Sequence, residues 1–195
     1  MPNSKKRIKF YYGLSGTFKT VTIKSESTPE SPVAWSMIKL WKDLEDGVFS
    51  GYTEKNHLNF ALLHLCVLGN EIKSQENKEE VTIFSERGVS DPLFYYGHGR
   101  SDASWFNGII QKEVELCENY EIEKVLLIQK DEKFIDEVVL KEPHRRAIFP
   151  NVTEYLKKQE EYVRFTEKYN LITKKIEITN AEDYIKSLGM EFKTN

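Results

Sequence analysis

The chain has 195 residues, of which 39% are hydrophobic and 30% charged, with a net charge of −3 at pH 7. That length supports one α/β domain with a sizeable core and is short for two, while the weakly acidic balance offers no electrostatic footprint for a nucleic-acid polymer. No apolar run reaches membrane length, no leader pattern opens the chain, Cys66 and Cys117 read as buried free thiols in apolar helical patterns, and the four histidines are scattered, so a membrane span, a disulfide and a zinc site are not expected.

The first element is an apolar strand that runs into RIKFYYGLSGTFKT, Arg7 to Thr20, and empties into a glycine-marked turn closed by Lys19 and Thr20. A phosphate-binding loop needs these residue types. Glycines let the backbone wrap an anion with its N–H groups, a lysine reaches the outer phosphates, and the adjacent hydroxyl meets Mg²⁺. Gly13, Leu14, Ser15, Gly16, Thr17, Phe18, Lys19 and Thr20 are therefore the candidate ATP-binding residues. The usual pattern places glycine directly before the lysine, and here that position is Phe18. A side chain there must point away from the phosphates, and a positive φ would strain or reshape the loop. The plainer alternative is a turn after an edge strand, with Lys19 as a surface charge.

A short helix is expected from Thr20, weakened by β-branched Val21, Thr22 and Ile23, then a polar proline-marked loop, and then a helix over Val33–Leu44 ended by Gly47. Glu54 to about Gln75 carries the longest helical pattern, in which Asn59 and His64 are polar exceptions. Each either touches a ligand or is a hydrogen-bonded core position. Val81–Phe84 is a strand followed at once by Glu86 and Arg87, and in a parallel sheet such residues face the same crevice as the loop. Pro92–Arg100 is an aromatic, glycine-rich connection, and Asp102–Tyr120 resumes a helix. Val125–Ile128 is a third strand, Phe134–Leu140 precedes a basic turn at Pro143–Arg146, and Val152–Tyr169 is an amphipathic helix. Ile176–Ile178 is the last strand, and Asn180 with Asp183 caps a final helix through Leu188. Strands alternating with helices argue for a single three-layer α/β domain over 1–195 with a parallel central sheet, and 141–150 is the segment that would serve as a lid if Arg145 and Arg146 move.

With the loop, the Glu86-Arg87 pair and the Arg145-Arg146 turn in this order, the chain resembles P-loop nucleoside and nucleotide kinases, thymidylate kinases nearest. ERGVSDPLFYYGHGR, Glu86 to Arg100, is similar to the thymidylate-kinase stretch in which Asp-Arg is followed by a serine, an aromatic and a Gly-x-Gly-Arg turn. Phe18, Glu86 and Gln129 depart from the pattern. The resemblance implies a P-loop NTPase fold, ATP and Mg²⁺ as cofactors, and a small-molecule nucleotide or nucleoside as acceptor, with a deoxynucleoside monophosphate favoured. With no leader pattern and no membrane-length run, a cytoplasmic enzyme is expected, with a homodimer admitted. Lys19 would hold the β and γ phosphates, Thr20 and Glu86 would serve the metal, and Glu86 would orient a metal-bound water or accept the acceptor's proton. Arg87 would clamp an acceptor phosphate, with Arg100, Tyr95, Trp35 and Asn59 as further substrate contacts. Arg145 and Arg146 would close over the donor. The readings without function are an ion pair for Glu86-Arg87, a solvated helix start for Arg145-Arg146, and ordinary core or surface aromatics. Deoxynucleoside kinases and adenylylsulfate kinases are alternative likenesses, and a nucleotide-binding sensor that has lost turnover is the reading from another class.

Overall fold

The computed structural model describes residues 5–36, 54–91, 94 and 104–192. Strand β1 (Lys5–Tyr12) is followed by helix α1 (Lys19–Glu26), β2 (Val33–Ser36), α2 (Glu54–Ser74), β3 (Glu80–Glu86), α3 (Ser104–Leu116) and β4 (Glu121–Gln129). Then come α4 (Glu132–Phe134), running directly into a π-helical turn (Ile135–Val139), α5 (Pro143–Ile148), α6 (Val152–Lys168), β5 (Lys174–Ile178) and α7 (Ala181–Ser187). The five strands form one sheet in the order β2-β3-β1-β4-β5. Strands joined by helical crossovers give the three-layer α/β architecture with a parallel sheet that the alternation of patterns specifies.

Two compact units make up the molecule, one holding β1 as far as Tyr11 with residues 27–123, the other holding residues 12–26 and 124–195. In the first, β1 and β3 pair in parallel from Lys5↔Glu80 to Tyr11↔Glu86, and the paired Ile8 and Ile83 are fully buried. Ala61 of α2, Val89 and Ile109 of α3 form a core cluster, with Leu58, Leu65 and Ile110 packed against it. In the second unit, β4 and β5 pair from Val125↔Lys174 to Gln129↔Ile178. Helix α6 buries Tyr155, Gln159, Tyr162 and Thr166, a spacing that puts them on one face. Gln159 is a polar residue in that face because it completes the end of β4. Its Oε1 accepts from the Gln129 N–H at 2.8 Å and its Nε2 donates to the Gln129 carbonyl at 2.7 Å.

Three expectations are corrected. Val33 begins a strand, not a helix: β2 pairs with β3 through Val33↔Phe84 and Ala34↔Ser85, and the Phe84 N–H donates to the Pro32 carbonyl at 3.1 Å. A sheet edge offering ladder bonds overrides the apolar spacing that suggested a helix, and the rest of that segment, Gly47 included, lies outside the described residues. Cys66 is exposed and only Cys117 is buried, both as free thiols. The basic segment at Pro143 is a short helix with proline in its first turn, not a turn. The stretch before it is α4 with the π turn. The final helix stands as read, since the Asn180 side chain accepts from the Asp183 N–H at 2.9 Å.

Candidate functional site

The buried end of β1, Phe10-Tyr11-Tyr12, delivers the chain into the loop. Gly13 has φ 141° and Gly16 φ 87°. A Cβ on Gly13 would stand 2.5 Å from Thr17 Oγ1 and 2.6 Å from the Leu127 carbonyl, and one on Gly16 would stand 2.6 Å from Val139 Cγ2. Both positions therefore need glycine for close approach as well as for backbone conformation.

Lys19 is 4% exposed and folds back over the loop it closes. Its Nζ donates to the carbonyls of Gly13 at 2.9 Å and Leu14 at 2.7 Å, with Thr17 Oγ1 at 3.4 Å. The Thr17 hydroxyl donates to the Leu14 carbonyl at 2.9 Å, and the Tyr155 hydroxyl of α6 donates to the Ser15 carbonyl at 3.0 Å. Three consecutive carbonyls are thus tied down, whereas among the described residues the N–H groups of Leu14, Ser15 and Gly16 donate to no protein acceptor. Backbone N–H groups oriented in this way, followed by the first turn of α1, where Thr20 lies partly exposed, are the elements with which a chain can bind a polyanion.

Phe18 takes φ 61°, the left-handed region a non-glycine residue rarely adopts. Its ring lies 4.7 Å from that of Phe134 and 5.8 Å from that of Tyr184, whose hydroxyl shares a 2.9 Å hydrogen bond with Thr22 of α1. The loop keeps the backbone that a glycine would give, and aromatic packing holds it there. Burial raises the Tyr184 phenol above its ordinary value, and the bond to Thr22 opposes that rise.

Glu86 ends β3 in register with Tyr11 and is 2% exposed. Arg87 follows with φ 79°, its N–H donating to the Tyr11 carbonyl at 2.9 Å and its own carbonyl accepting from Ser85 Oγ at 2.9 Å. The Arg87 guanidinium meets Asp91 at 2.6 Å, with the Asp91 side chain 1% exposed. Sequence reading missed Asp91, although its spacing four residues after an arginine was a signal. It also missed Glu113, a buried carboxylate on α3 that accepts from the Val89 N–H at 3.0 Å and so fixes the chain just beyond Arg87.

Arg145 and Arg146 both lie on α5. Arg145 is half-buried, its Nε without a hydrogen-bond partner among the described residues, and Arg146 is exposed. Trp35 belongs to β2, and Asn59 is half-buried on α2. Tyr95 and Arg100 lie outside the described residues. Among the described residues no group of three or more His, Cys, Asp or Glu could hold a metal ion.

No family model and no curated protein matches the chain. Among solved structures, a thymidylate kinase from Ehrlichia chaffeensis superposes with a TM-score of 0.52 at 11% identity, covering 94% of this chain and 98% of that one. The chain thus shares that protein's α/β fold, a parallel sheet flanked by helices. At such identity the likeness speaks for architecture alone. No helix among the described residues is long and apolar enough to cross a membrane.

Proposed function

We propose that the chain is an ATP-dependent phosphotransferase acting on a nucleotide, most naturally a (deoxy)nucleoside monophosphate. The observation that carries this reading is the loop: its carbonyls are bound, three of its N–H groups meet no acceptor among the described residues, and a buried lysine lies against it. Such a donor set fits a triphosphate. Mg²⁺, when bound, neutralises charge on the phosphate oxygens. Thr20 would be its hydroxyl ligand, and Glu86 would orient a metal-bound water or accept the acceptor's proton.

Gly13 to Thr20 bind the donor, and Lys19 shifts from the loop carbonyls to the outer phosphates as the anion arrives. Arg87, paired with Asp91, is the proposed clamp for an acceptor phosphate. Arg145 and Arg146 supply cationic charge when α5 closes over the donor. Trp35, Asn59, Tyr95 and Arg100 are the proposed acceptor contacts, in a cytoplasmic protein of one functional domain whose partners are small molecules. A second reading, a nucleotide sensor without turnover, is favoured by one observation: Lys19 already has its loop acceptors satisfied.

A thermal-shift panel of nucleoside monophosphates and nucleosides, each with Mg²⁺-ATP, separates these readings, because a ligand of the native state raises apparent stability by mass action. The phosphotransferase reading predicts a shift with ATP, a further shift with one acceptor class, and ADP formation with that class alone. ATP stabilisation without ADP from any acceptor would establish the sensor.

A further inference from the structure

We propose that Tyr155, 140 residues from the loop in sequence, is a positioning residue that aims the loop's donors at the phosphates. The role rests on the phosphotransferase reading for its ligand but on geometry for its mechanism. A peptide group is planar and trans, so the carbonyl of one residue and the N–H of the next point in opposite directions. Whatever holds the Ser15 carbonyl therefore also aims the Gly16 N–H. Lys19 and Thr17 hold the Gly13 and Leu14 carbonyls in the same way and so aim the N–H groups of Leu14 and Ser15. Those three bonds come from inside the loop, and the lysine must give up its share when it turns to a phosphate. The Tyr155 bond comes from a helix and stays.

Tyr155 is suited to that task. Its side chain is fully buried, the Phe149 ring meets it edge-on at 5.1 Å, and Gln159 one turn later clamps the end of β4. A buried tyrosine with two rotatable bonds held by packing loses little freedom in making this bond. Phe149 is also the residue that ends α5, its N–H donating to the Arg145 carbonyl at 2.8 Å. One ring pair thus lies between the arginine helix and the loop carbonyl within a single compact unit.

Tyr155→Phe tests this while keeping the ring, with Tyr162→Phe, another fully buried tyrosine of the same helix face, as the control for general loosening. Hydrogen exchange of residues 13–18 is measured without ligand, and Mg²⁺-ATP affinity by calorimetry. Tyr155→Phe should speed loop exchange and weaken Mg²⁺-ATP binding about fivefold, the size of one neutral hydrogen bond. Tyr162→Phe should change neither. Unchanged loop exchange in Tyr155→Phe, or an affinity equal to wild type, overturns the positioning role. A wild type that binds no Mg²⁺-ATP, while Tyr155→Phe still loosens the loop, overturns the phosphotransferase reading and leaves the positioning role standing.

Discussion

Replacing Phe18 by glycine removes two opposed effects at once, and the structure sets their sizes. The ring makes two aromatic contacts, with Phe134 and Tyr184, worth together about 1.5 kcal/mol, and its half-burial contributes about 1.5 kcal/mol more. Against that loss, glycine relieves a left-handed φ of 61°, worth about 1–2 kcal/mol, and adds roughly 0.5–1 kcal/mol of unfolded-chain entropy. The net is a destabilisation of about 2 kcal/mol, or a Tm lower by roughly 4–8 °C for a chain of this size. Phe18→Ala loses the same ring and keeps the strained backbone, so it should be less stable than Phe18→Gly by about 1 kcal/mol. Thermal unfolding of both variants and Mg²⁺-ATP calorimetry on each make the assay, with weaker ATP binding expected in both because the ring anchors the loop. A Phe18→Gly protein more stable than wild type that binds ATP more tightly would refute the reasoning, and so would equal stability of the two variants.

Lys19→Ala should abolish phosphoryl transfer and also lower stability by about 1–3 kcal/mol, since the Gly13 carbonyl loses its lysine donor while the Leu14 carbonyl keeps the Thr17 hydroxyl; turnover and Tm measured on the same preparation check both halves. Arg87→Ala should weaken acceptor binding, leave donor binding nearly intact, and cost roughly 3 kcal/mol because buried Asp91 loses its ion pair; adding Asp91→Asn should recover much of that loss in a double-mutant cycle. Gly16→Ala should destabilise by about 2–3 kcal/mol through a clash with Val139 and a left-handed φ of 87°, and Val139→Ala should relieve only the clash, as read by denaturant unfolding. The Tyr184 phenol is raised above the ordinary 10.0, so its contribution is present below pH 10 and lost as pH rises through the folded value. Comparing the alkaline stability curves of wild type and Tyr184→Phe checks this, the variant losing that part of the slope.

The elements that could be read in the sequence are those whose signal is local. The run from Lys5 to Tyr12, the glycines after it and the Asn180 cap declare themselves because strand, turn and cap chemistry each act within a few residues. Segment 33–36 did not, because four residues of Val-Ala-Trp-Ser inside a longer apolar pattern are decided by a ladder to β3 that no local spacing encodes. The loop's residues were visible, but what holds them was not. Tyr155, Phe134 and Tyr184 come from helices far along the chain, and the π turn that brings Val139 against Gly16 has no composition of its own. Phe18 shows the same division. Its departure from the glycine pattern was plain in the sequence, whereas the ring cluster that makes it tolerable exists only once α4 and α7 have folded.

Transfer of a labelled γ-phosphate from ATP to a panel of nucleoside and deoxynucleoside monophosphates, with wild type and Lys19→Ala side by side, tests the central claim most directly. The account predicts a labelled nucleoside diphosphate from at least one acceptor with wild type and none with the variant. Labelled product formed equally by Lys19→Ala, or tight ATP binding by wild type with no labelled acceptor anywhere in the panel, would contradict it.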